Sequence, residues 1–152
     1  MTRRKVDGEL VRLKCRACGG EVSHLVPGGD SDMATNGLGT AASCSTDRVA
    51  LGEMTTEEWA AGEAGLASFE GRIQSALGLH DLKVVPFLRA EKQTAAKAGE
   101  PFPLFRSRYR PPVLIYRCPC CGVGEAEVVA TMSIAEFRAR GGEILIDGNV
   151  EI

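Results

Sequence analysis

A chain of 152 residues with 44% hydrophobic and 25% charged residues has the composition of a folded protein, and we expect residues 1–152 to form a single domain. Its net charge of −2 argues against binding of polyanions over the whole surface. No apolar run is long enough to span a membrane and the charged N-terminus does not resemble a secretory signal, so we expect no membrane association and a cytoplasmic location. Thiols stay reduced in that compartment, and the 6 cysteines therefore favour metal binding over disulfides.

The first predicted element is a β-hairpin over residues 9–26. ELVRLK alternates apolar and polar residues as a half-buried strand does, CRACGG supplies a glycine-rich turn, and EVSHLV alternates again. Because side chains along a strand alternate between its two faces, we expect His24 to face outward. Cys15 and Cys18 lie in the turn at the tip of this hairpin.

The middle of the chain is predicted to be a long loop followed by a helical insertion. Residues 27–47 have no periodicity and are rich in Gly, Ser, Thr and Asp, which predicts an irregular loop, and RVALGEM then predicts a short strand. The insertion spans residues 53–100. Its first helix begins at the N-cap Thr55, with Glu58 completing a capping box, and ends at Gly78. The apolar residues at helical spacing are Trp59, Leu66, Phe69, Ile73 and Leu77. A second, mostly solvated helix is predicted from Pro86 to Gly99, with EPFPLF as a connector after it.

A second cysteine-tipped hairpin is predicted over residues 112–131. PPVLIYR forms its first strand, CPCCGVG the turn and EAEVVAT the returning strand. Residues 133–152 follow as a C-terminal helix and strand. Ser133 caps the helix, which ends at Gly141, and EILIDGNVEI is predicted to be a strand or a hairpin with a turn at residues 147–149.

The two hairpin turns carry the strongest chemical signal in the chain. Two residues between paired thiols let both sulfurs reach one tetrahedral ion, and the glycine after each pair lets the backbone turn its N–H groups toward sulfur. Two such pairs predict one structural Zn²⁺ ion in a closed site with no open position for catalysis. The predicted ligands are Cys15, Cys18, Cys118 and Cys121. Cys120 is then a spare thiol that points away from the metal.

CRACGG and CPCCG, with their flanking strands, resemble the zinc-ribbon fold group, in which two cysteine knuckles bind one zinc. Together with the predicted elements, this resemblance implies an α+β fold: a zinc ribbon of two cysteine-tipped β-hairpins from the chain ends, with a helical insertion. CPCCG also resembles the bacterial cysteine-rich CPCC domain, some members of which are considered immunity-type proteins. In that domain a second cysteine pair lies downstream, whereas here it lies upstream, at positions 15 and 18.

Basic residues precede both cysteine turns. Residues 1–16 carry six bases and two acids, and residues 105–117 carry four arginines and no acid. Four thiolates around Zn²⁺ leave a net charge near −2, which nearby bases can offset. The candidates for this role are Arg12, Lys14, Arg16 and Arg117. The remaining residues suited to nucleic-acid contacts are Arg106, Arg108, Tyr109 and Arg110, since arginines bind phosphates and aromatic rings stack on bases.

We expect a non-enzymatic, zinc-stabilised binding protein that acts on a protein partner, as a regulator or an immunity-type inhibitor. The alternative is a nucleic-acid-binding zinc ribbon that uses the basic segment 105–117. A third hypothesis is an enzyme with Cys44 as its nucleophile; Asp47 lies nearby but no base does, so we do not expect activity. A second metal site built from His24, His80, Cys44 and Cys120 has no support from spacing.

Overall fold

The structure, a computed structural model, describes residues 4–28, 37–93, 95 and 97–152 and has a mixed α+β fold made mostly of β-sheet. The strands are β1 Arg4–Lys5, β2 Asp7–Cys15, β3 Glu21–Gly28, β4 Leu38–Ser43, β5 Arg48–Glu53, β6 Leu82–Val84, β7 Phe87–Glu91, β8 Val113–Arg117, β9 Glu125–Met132, β10 Glu143–Asp147 and β11 Val150–Glu151. The helices are α1 Thr56–Ala60, α2 Glu63–Leu77, α3 Phe102–Arg108 and α4 Ile134–Ala139. In these described ranges no helix is long and apolar enough to cross a membrane.

One antiparallel sheet of five strands, in the order β3-β2-β9-β8-β7, contains both predicted hairpins. Strands β2 and β3 pair with Leu10 opposite Leu25, and strands β8 and β9 pair with Tyr116 opposite Ala126. Strand β2 also pairs with β9, and Cys15 lies opposite Ala126. The turn that follows β2 therefore lies beside the turn that precedes β9, at one end of the sheet.

A second sheet of four strands, in the order β10-β5-β4-β6, occupies part of the sequence predicted as a loop. Residues 38–43 form β4, whose prediction as loop is wrong, while residues 29–36 lie outside the described part of the chain. Its small residues fit a crowded interior: Ala42 is fully buried, and a Cβ at Gly39 would come within 2.7 Å of the Phe69 ring. Tight packing requires small side chains here. A strand made mostly of small residues lacks the bulky apolar residues by which a strand is recognised in a sequence.

The predicted capping box is confirmed, but the helix after it is interrupted. Thr55 Oγ1 accepts the Glu58 N–H at 3.1 Å, and the Thr55 N–H donates to Glu58 Oε1 at 2.9 Å. The chain turns at Gly62, with φ 61°, so α1 and α2 are separate helices. Trp59 is consequently 56% exposed rather than on the buried face of one long helix. The predicted end of α2 at Gly78 is confirmed, with φ 68° in the left-handed region.

The helix predicted over residues 86–99 is wrong, because Phe87–Glu91 form an edge strand instead. This strand pairs with β8, with Phe87 opposite Tyr116, and the carbonyl of Pro86 accepts the Arg117 N–H at 2.9 Å. Pairing with a neighbouring strand thus overrides the helix propensity of the local sequence. The segment predicted as a connector forms the short helix α3.

The C-terminal helix has the predicted Ser133 cap, and its last turn leads to Gly141 with φ 90°. The strands that follow do not form a hairpin with each other. Strand β10 pairs in parallel with β5, and β11 pairs in parallel with β1. The C-terminal residues therefore join two separate sheets.

Both faces of strand β3 are covered, which overturns the expectation for His24. Val22 packs in a cluster with Tyr116 and Cys118, while Leu25, on the other face, packs in a cluster with Val49 and Phe137. His24 is only 5% exposed, and its ring meets the edge of the Tyr116 ring at a centroid distance of 5.1 Å. A strand covered on both sides has no outward face, so alternation alone could not place this side chain.

Candidate metal centre

Four cysteine sulfurs come together where the two hairpin turns meet. The sulfurs of Cys15, Cys18, Cys118 and Cys121 all lie within 4.8 Å of one another. Two of these separations, Cys15 to Cys121 and Cys18 to Cys118, are 3.8 Å. Four sulfurs placed tetrahedrally at about 2.3 Å from one zinc ion are separated by about 3.8 Å. The four thiols thus have the spacing that a tetrahedral metal ion requires.

The same backbone turn presents each cysteine pair. The Gly19 N–H donates to the carbonyl of Cys15 at 3.1 Å, and the Gly122 N–H donates to that of Cys118 at 3.0 Å. Both glycines have positive φ, 72° and 77°, a conformation that a side chain would strain. Other N–H groups point at sulfur, including those of Ala17 toward Cys15 at 3.3 Å, Gly20 toward Cys18 at 3.4 Å and Gly124 toward Cys121 at 3.2 Å. These donors stabilise negative charge on sulfur.

Gly124 is a residue of the centre that the sequence prediction missed. It is buried, and a Cβ built on it would overlap Cys15 Sγ and lie 3.0 Å from Cys121 Sγ. Its carbonyl accepts the Cys118 N–H at 2.8 Å. The signal available in the sequence was a glycine three residues after the second cysteine pair. Its role depends on contact with the first pair, about a hundred residues earlier, and so could not be read from the local sequence.

The protein environment shifts the pKa values of these thiols in opposite directions. Burial raises the pKa of Cys118 to about 12, while N–H groups of Val123 and Gly124 lower the pKa of Cys121 to about 6. Neighbouring thiolates repel one another, so four of them cannot ionise together without a compensating cation. A metal ion supplies that charge, and the arrangement therefore favours metal binding over four free thiols.

Two bases expected to offset the thiolate charge are engaged with carboxylates. Arg16 forms ion pairs with Glu91 and Glu127, each at 3.1 Å, and Arg12 pairs with Asp47 at 3.2 Å. The ion pairs with these acids explain why the two arginines lie next to the first cysteine turn. Their contacts therefore give no support to the expected role of offsetting the thiolate charge. Arg117 instead lines a cavity of about 510 Å³ beside the second turn, together with Cys118, Pro119 and Cys120 among others.

The two remaining cysteines lie next to the four-sulfur group. Cys44 packs against the buried cluster that contains Cys118, and a Cβ at Gly20 would lie 3.8 Å from Cys120 Sγ. Burial raises the pKa of both thiols, that of Cys120 to about 12. The residues considered for a second metal site form no metal-binding group within the described part of the chain, where His24 is in the core and His80 is exposed.

The candidate nucleic-acid residues lie on and after helix α3. Arg108 pairs with Glu100, and Arg110 Nη1 donates to the carbonyl oxygens of Ser107 and Tyr109 at 3.3 and 3.2 Å. Tyr109 stacks on Phe105 with ring centroids 5.6 Å apart. Several groups that nucleic acid would need are therefore already in contact with the protein itself.

The fold and the site define a mixed α+β protein with four cysteines arranged to hold a metal ion. No protein-family model, curated protein or solved structure matches the chain.

Proposed function

We propose that this protein is a zinc-stabilised, non-enzymatic protein of the zinc-ribbon type that binds a protein partner through helix α3. Two observations support the proposal: the four-sulfur group, and the exposure of every residue from 101 to 112. The exposure of these residues is the observation that supports binding of a partner. Among zinc-stabilised proteins that bind a protein partner, the CPCCG resemblance favours a regulator or an immunity-type inhibitor.

Zinc is the metal we propose because of the donor set. Four thiolates with tetrahedral spacing are typical of structural Zn²⁺, and they leave no position for a water molecule or a substrate. The two cysteine pairs are about a hundred residues apart, so one ion would link the two ends of the chain. Such a site contributes about 10 kcal/mol or more to folding in small zinc domains.

The ligand assignment is tested with two cysteines that are close in space. Cys18→Ser should abolish tight zinc binding and cooperative unfolding, whereas Cys120→Ser should retain both. The measurement is zinc per chain by elemental analysis after gel filtration, combined with denaturant unfolding. Loss of zinc from the Cys120 variant would show that the ligand assignment is wrong.

Helix α3 presents large apolar side chains to solvent. We define the α3 surface as Phe102, Leu104, Phe105 and Tyr109; Phe102 is 70% exposed and Leu104 is 49% exposed. Exposed apolar residues are ordinary singly, but several on one short helix are typical of an interaction site. Aromatic residues accompanied by arginine are also the residues that most often dominate binding energy at protein interfaces. These features favour a protein partner.

The arginines around the α3 surface indicate the charge of the partner. The segment 105–117 has four arginines and no acid, and Arg106 is exposed on α3 itself. An apolar patch with a basic rim is complemented by an apolar pocket with an acidic rim. We therefore propose an acidic protein surface as the target of the α3 surface.

The test compares two double variants of the tagged, zinc-loaded protein in capture from its own cells. Phe102→Ser with Leu104→Ser should remove a stoichiometric partner that survives nuclease, since their apolar contacts would be lost. Arg106→Ala with Arg110→Ala should weaken capture less and make it less sensitive to salt. Zinc content checks that both variants remain folded. Partner retention by the Phe102 and Leu104 variant, or self-association as the one interaction seen, would contradict the proposal.

Nucleic-acid binding is the second candidate, because Arg106 is exposed beside the aromatic pair Phe105 and Tyr109. Under that alternative, captured material would disappear on nuclease treatment. Binding to a single-stranded oligonucleotide would weaken steeply with salt, and the arginine variant would reduce it. The stack between Phe105 and Tyr109 and the ion pair of Arg108 favour the protein partner over this alternative.

A further inference from the structure

A cleft beside the metal centre has the size of a small-molecule site. It is lined by helix α2, by the end of strand β6 and by the second cysteine turn, and its volume is about 510 Å³. Sites for small ligands usually measure about 300–1,000 Å³ and have mostly apolar walls with a few polar groups. The half-buried apolar side chains of this cleft are Leu66, Val84, Pro86 and Pro119.

Arg117 brings to the cleft a positive charge that no described protein group neutralises. Its backbone N–H donates to the carbonyl of Pro86 at 2.9 Å, but within the described ranges its guanidinium has no hydrogen bond and no ion pair. The arginines beside the first cysteine turn differ, because Arg12 and Arg16 pair with acids. A half-buried guanidinium without an acceptor favours binding of an anion, since its N–H groups fit both oxygens of a carboxylate.

The sulfurs of the metal centre have hydrogen-bond donors of their own. The backbone N–H of Cys18 donates to Cys15 Sγ at 3.4 Å. The backbone N–H of Gly124 donates to Cys121 Sγ at 3.2 Å. In the part of the chain that the structure describes, no hydrogen bond joins the Arg117 guanidinium to a sulfur. The guanidinium is therefore available to a ligand in the cleft.

The other charges of the cleft limit a ligand to one negative group. Lys83 lies in the cleft, but its ammonium is 3.8 Å from a carboxylate oxygen of Glu70. The other oxygen of Glu70 accepts the Val84 N–H at 2.9 Å, and Glu63 adds an exposed carboxylate to the same lining. Four thiolates with one divalent metal ion carry a net charge of about −2. These negative groups repel a second carboxylate on the ligand.

We propose that this cleft is a binding site for a small organic acid with one carboxylate group and an apolar body. The carboxylate accepts two hydrogen bonds from the Arg117 guanidinium. The apolar body contacts Leu66 on helix α2 and Pro119 in the second cysteine turn. A bound ligand therefore links the helix to the turn that presents two of the four sulfurs, and it binds reversibly, without a chemical reaction.

The experiment titrates the zinc-loaded, isotope-labelled full-length protein with hexanoate at neutral pH and follows its backbone amide signals by NMR. The titration extends to about 50 mM, because a ligand of this size is expected to bind in about the millimolar range. Saturable shifts should centre on the residues that line the cleft. Hexanamide, which has the same number of carbons and no charge, should bind at least about tenfold more weakly. Adipate, with a second carboxylate at the other end, should also bind more weakly than hexanoate.

Matched variants locate the bound hexanoate. Arg117→Gln should weaken its binding at least about tenfold, while Arg106→Gln, at an exposed arginine outside the cleft, should bind it as the parent does. Ala67→Trp should abolish binding, because the exposed Ala67 lines the cleft and a large ring there fills it. Zinc content checks that each variant is folded. Should Arg117→Gln lose zinc, the Ala67 variant and the comparison with hexanamide decide.

The proposal is overturned if the parent shows no saturable shift with hexanoate, or if the shifts centre on the α3 surface. Equal affinity for hexanoate and hexanamide would exclude recognition of the carboxylate, and equal affinity for adipate would exclude the limit to one negative group. Undiminished binding by the zinc-loaded Arg117 or Ala67 variant would place the ligand elsewhere. The inference is independent of the α3 surface, because a failure to capture a protein partner would leave these titrations unaffected.

Discussion

Two glycines on helix α2 should respond to the same substitution with opposite signs. Replacing glycine by alanine inside a helix stabilises it by about 1 kcal/mol, because the unfolded chain loses conformational freedom. A Cβ on Gly71 meets no described atom within 4 Å, so Gly71→Ala should gain about 0.5–1 kcal/mol. A Cβ on Gly65 would overlap the carbonyl oxygen of Glu58 and lie 2.9 Å from its Cα, so helix α1 would have to move away.

That movement is costly because Glu58 is held on several sides. Its carboxylate accepts hydrogen bonds from the Thr55 N–H at 2.9 Å and from Arg72 at 2.8 Å. Overpacking of this kind costs about 1–3 kcal/mol and occasionally more. Because backbone rather than a flexible side chain must shift, we take the upper end of this overpacking cost. From it we subtract the stabilisation that alanine gives to a helix relative to glycine. Gly65→Ala should then lose about 2 kcal/mol, which separates the two variants by about 3 kcal/mol.

The assay is urea unfolding of both zinc-saturated variants, followed by circular dichroism, with the free energy of unfolding taken from midpoints at a common slope. In thermal melts the same energies correspond to a decrease of about 4–8 °C for Gly65→Ala and an increase of about 1–4 °C for Gly71→Ala. Neither position contacts the four-sulfur group, so zinc content should be unchanged. A Gly65→Ala protein as stable as the parent would refute the packing of α1 against α2 and the argument built on it.

Three further outcomes follow from the centre and the core. Gly124→Ala should weaken zinc affinity at least about tenfold in chelator competition, because its Cβ would displace the sulfurs of Cys15 and Cys121; unchanged affinity would contradict the packing there. Removing zinc with a chelator at neutral pH should abolish cooperative unfolding, and zinc readdition should restore it. Burial lowers the pKa of His24 to about 4, so the folded state favours the neutral ring, and stability should fall by up to about 3 kcal/mol as pH drops from 6.5 to 4. The His24→Leu protein should lack that part of the pH dependence. Both proteins keep the same four cysteines, so an equal loss of stability in the two proteins on acidification would exclude the buried histidine as its cause.

The cysteine turns could be predicted from sequence because their information is local. Two thiols separated by two residues and followed by glycine define a turn whatever surrounds it, and the strands on either side alternate clearly. That the turns approach each other could be inferred from chemistry, since one pair is half of a tetrahedral set. The position of Gly124 between them could not, because its importance arises from contact with Cys15.

The failures of prediction share a physical cause, which is tertiary contact. Strand β4 is built from small residues because Phe69 and neighbouring strands leave no room for larger ones. Strand β7 has a sequence that a helix would accept, and pairing with β8 decides otherwise. His24 alternates as an outward residue, and packing of Tyr116 against it turns that face into core. In each case the local pattern is real, but a partner distant in sequence decides the structure.

The chain length between the cysteine pairs explains why a metal ion would matter to the whole fold. Closing a loop of about a hundred residues costs on the order of 4 kcal/mol in chain entropy, before any contact repays it. Structural zinc in small domains supplies about 10 kcal/mol or more, which exceeds that cost. The strands β2 and β9 that meet beside the centre also carry the β8–β7 edge, and helix α3 lies in the connection between β7 and β8. Loss of zinc should therefore abolish partner binding by disordering the sheet that presents the α3 surface, whereas substitutions on that surface should abolish binding with the zinc retained. Only the combination of both results would establish the proposed division between a structural centre and a recognition helix.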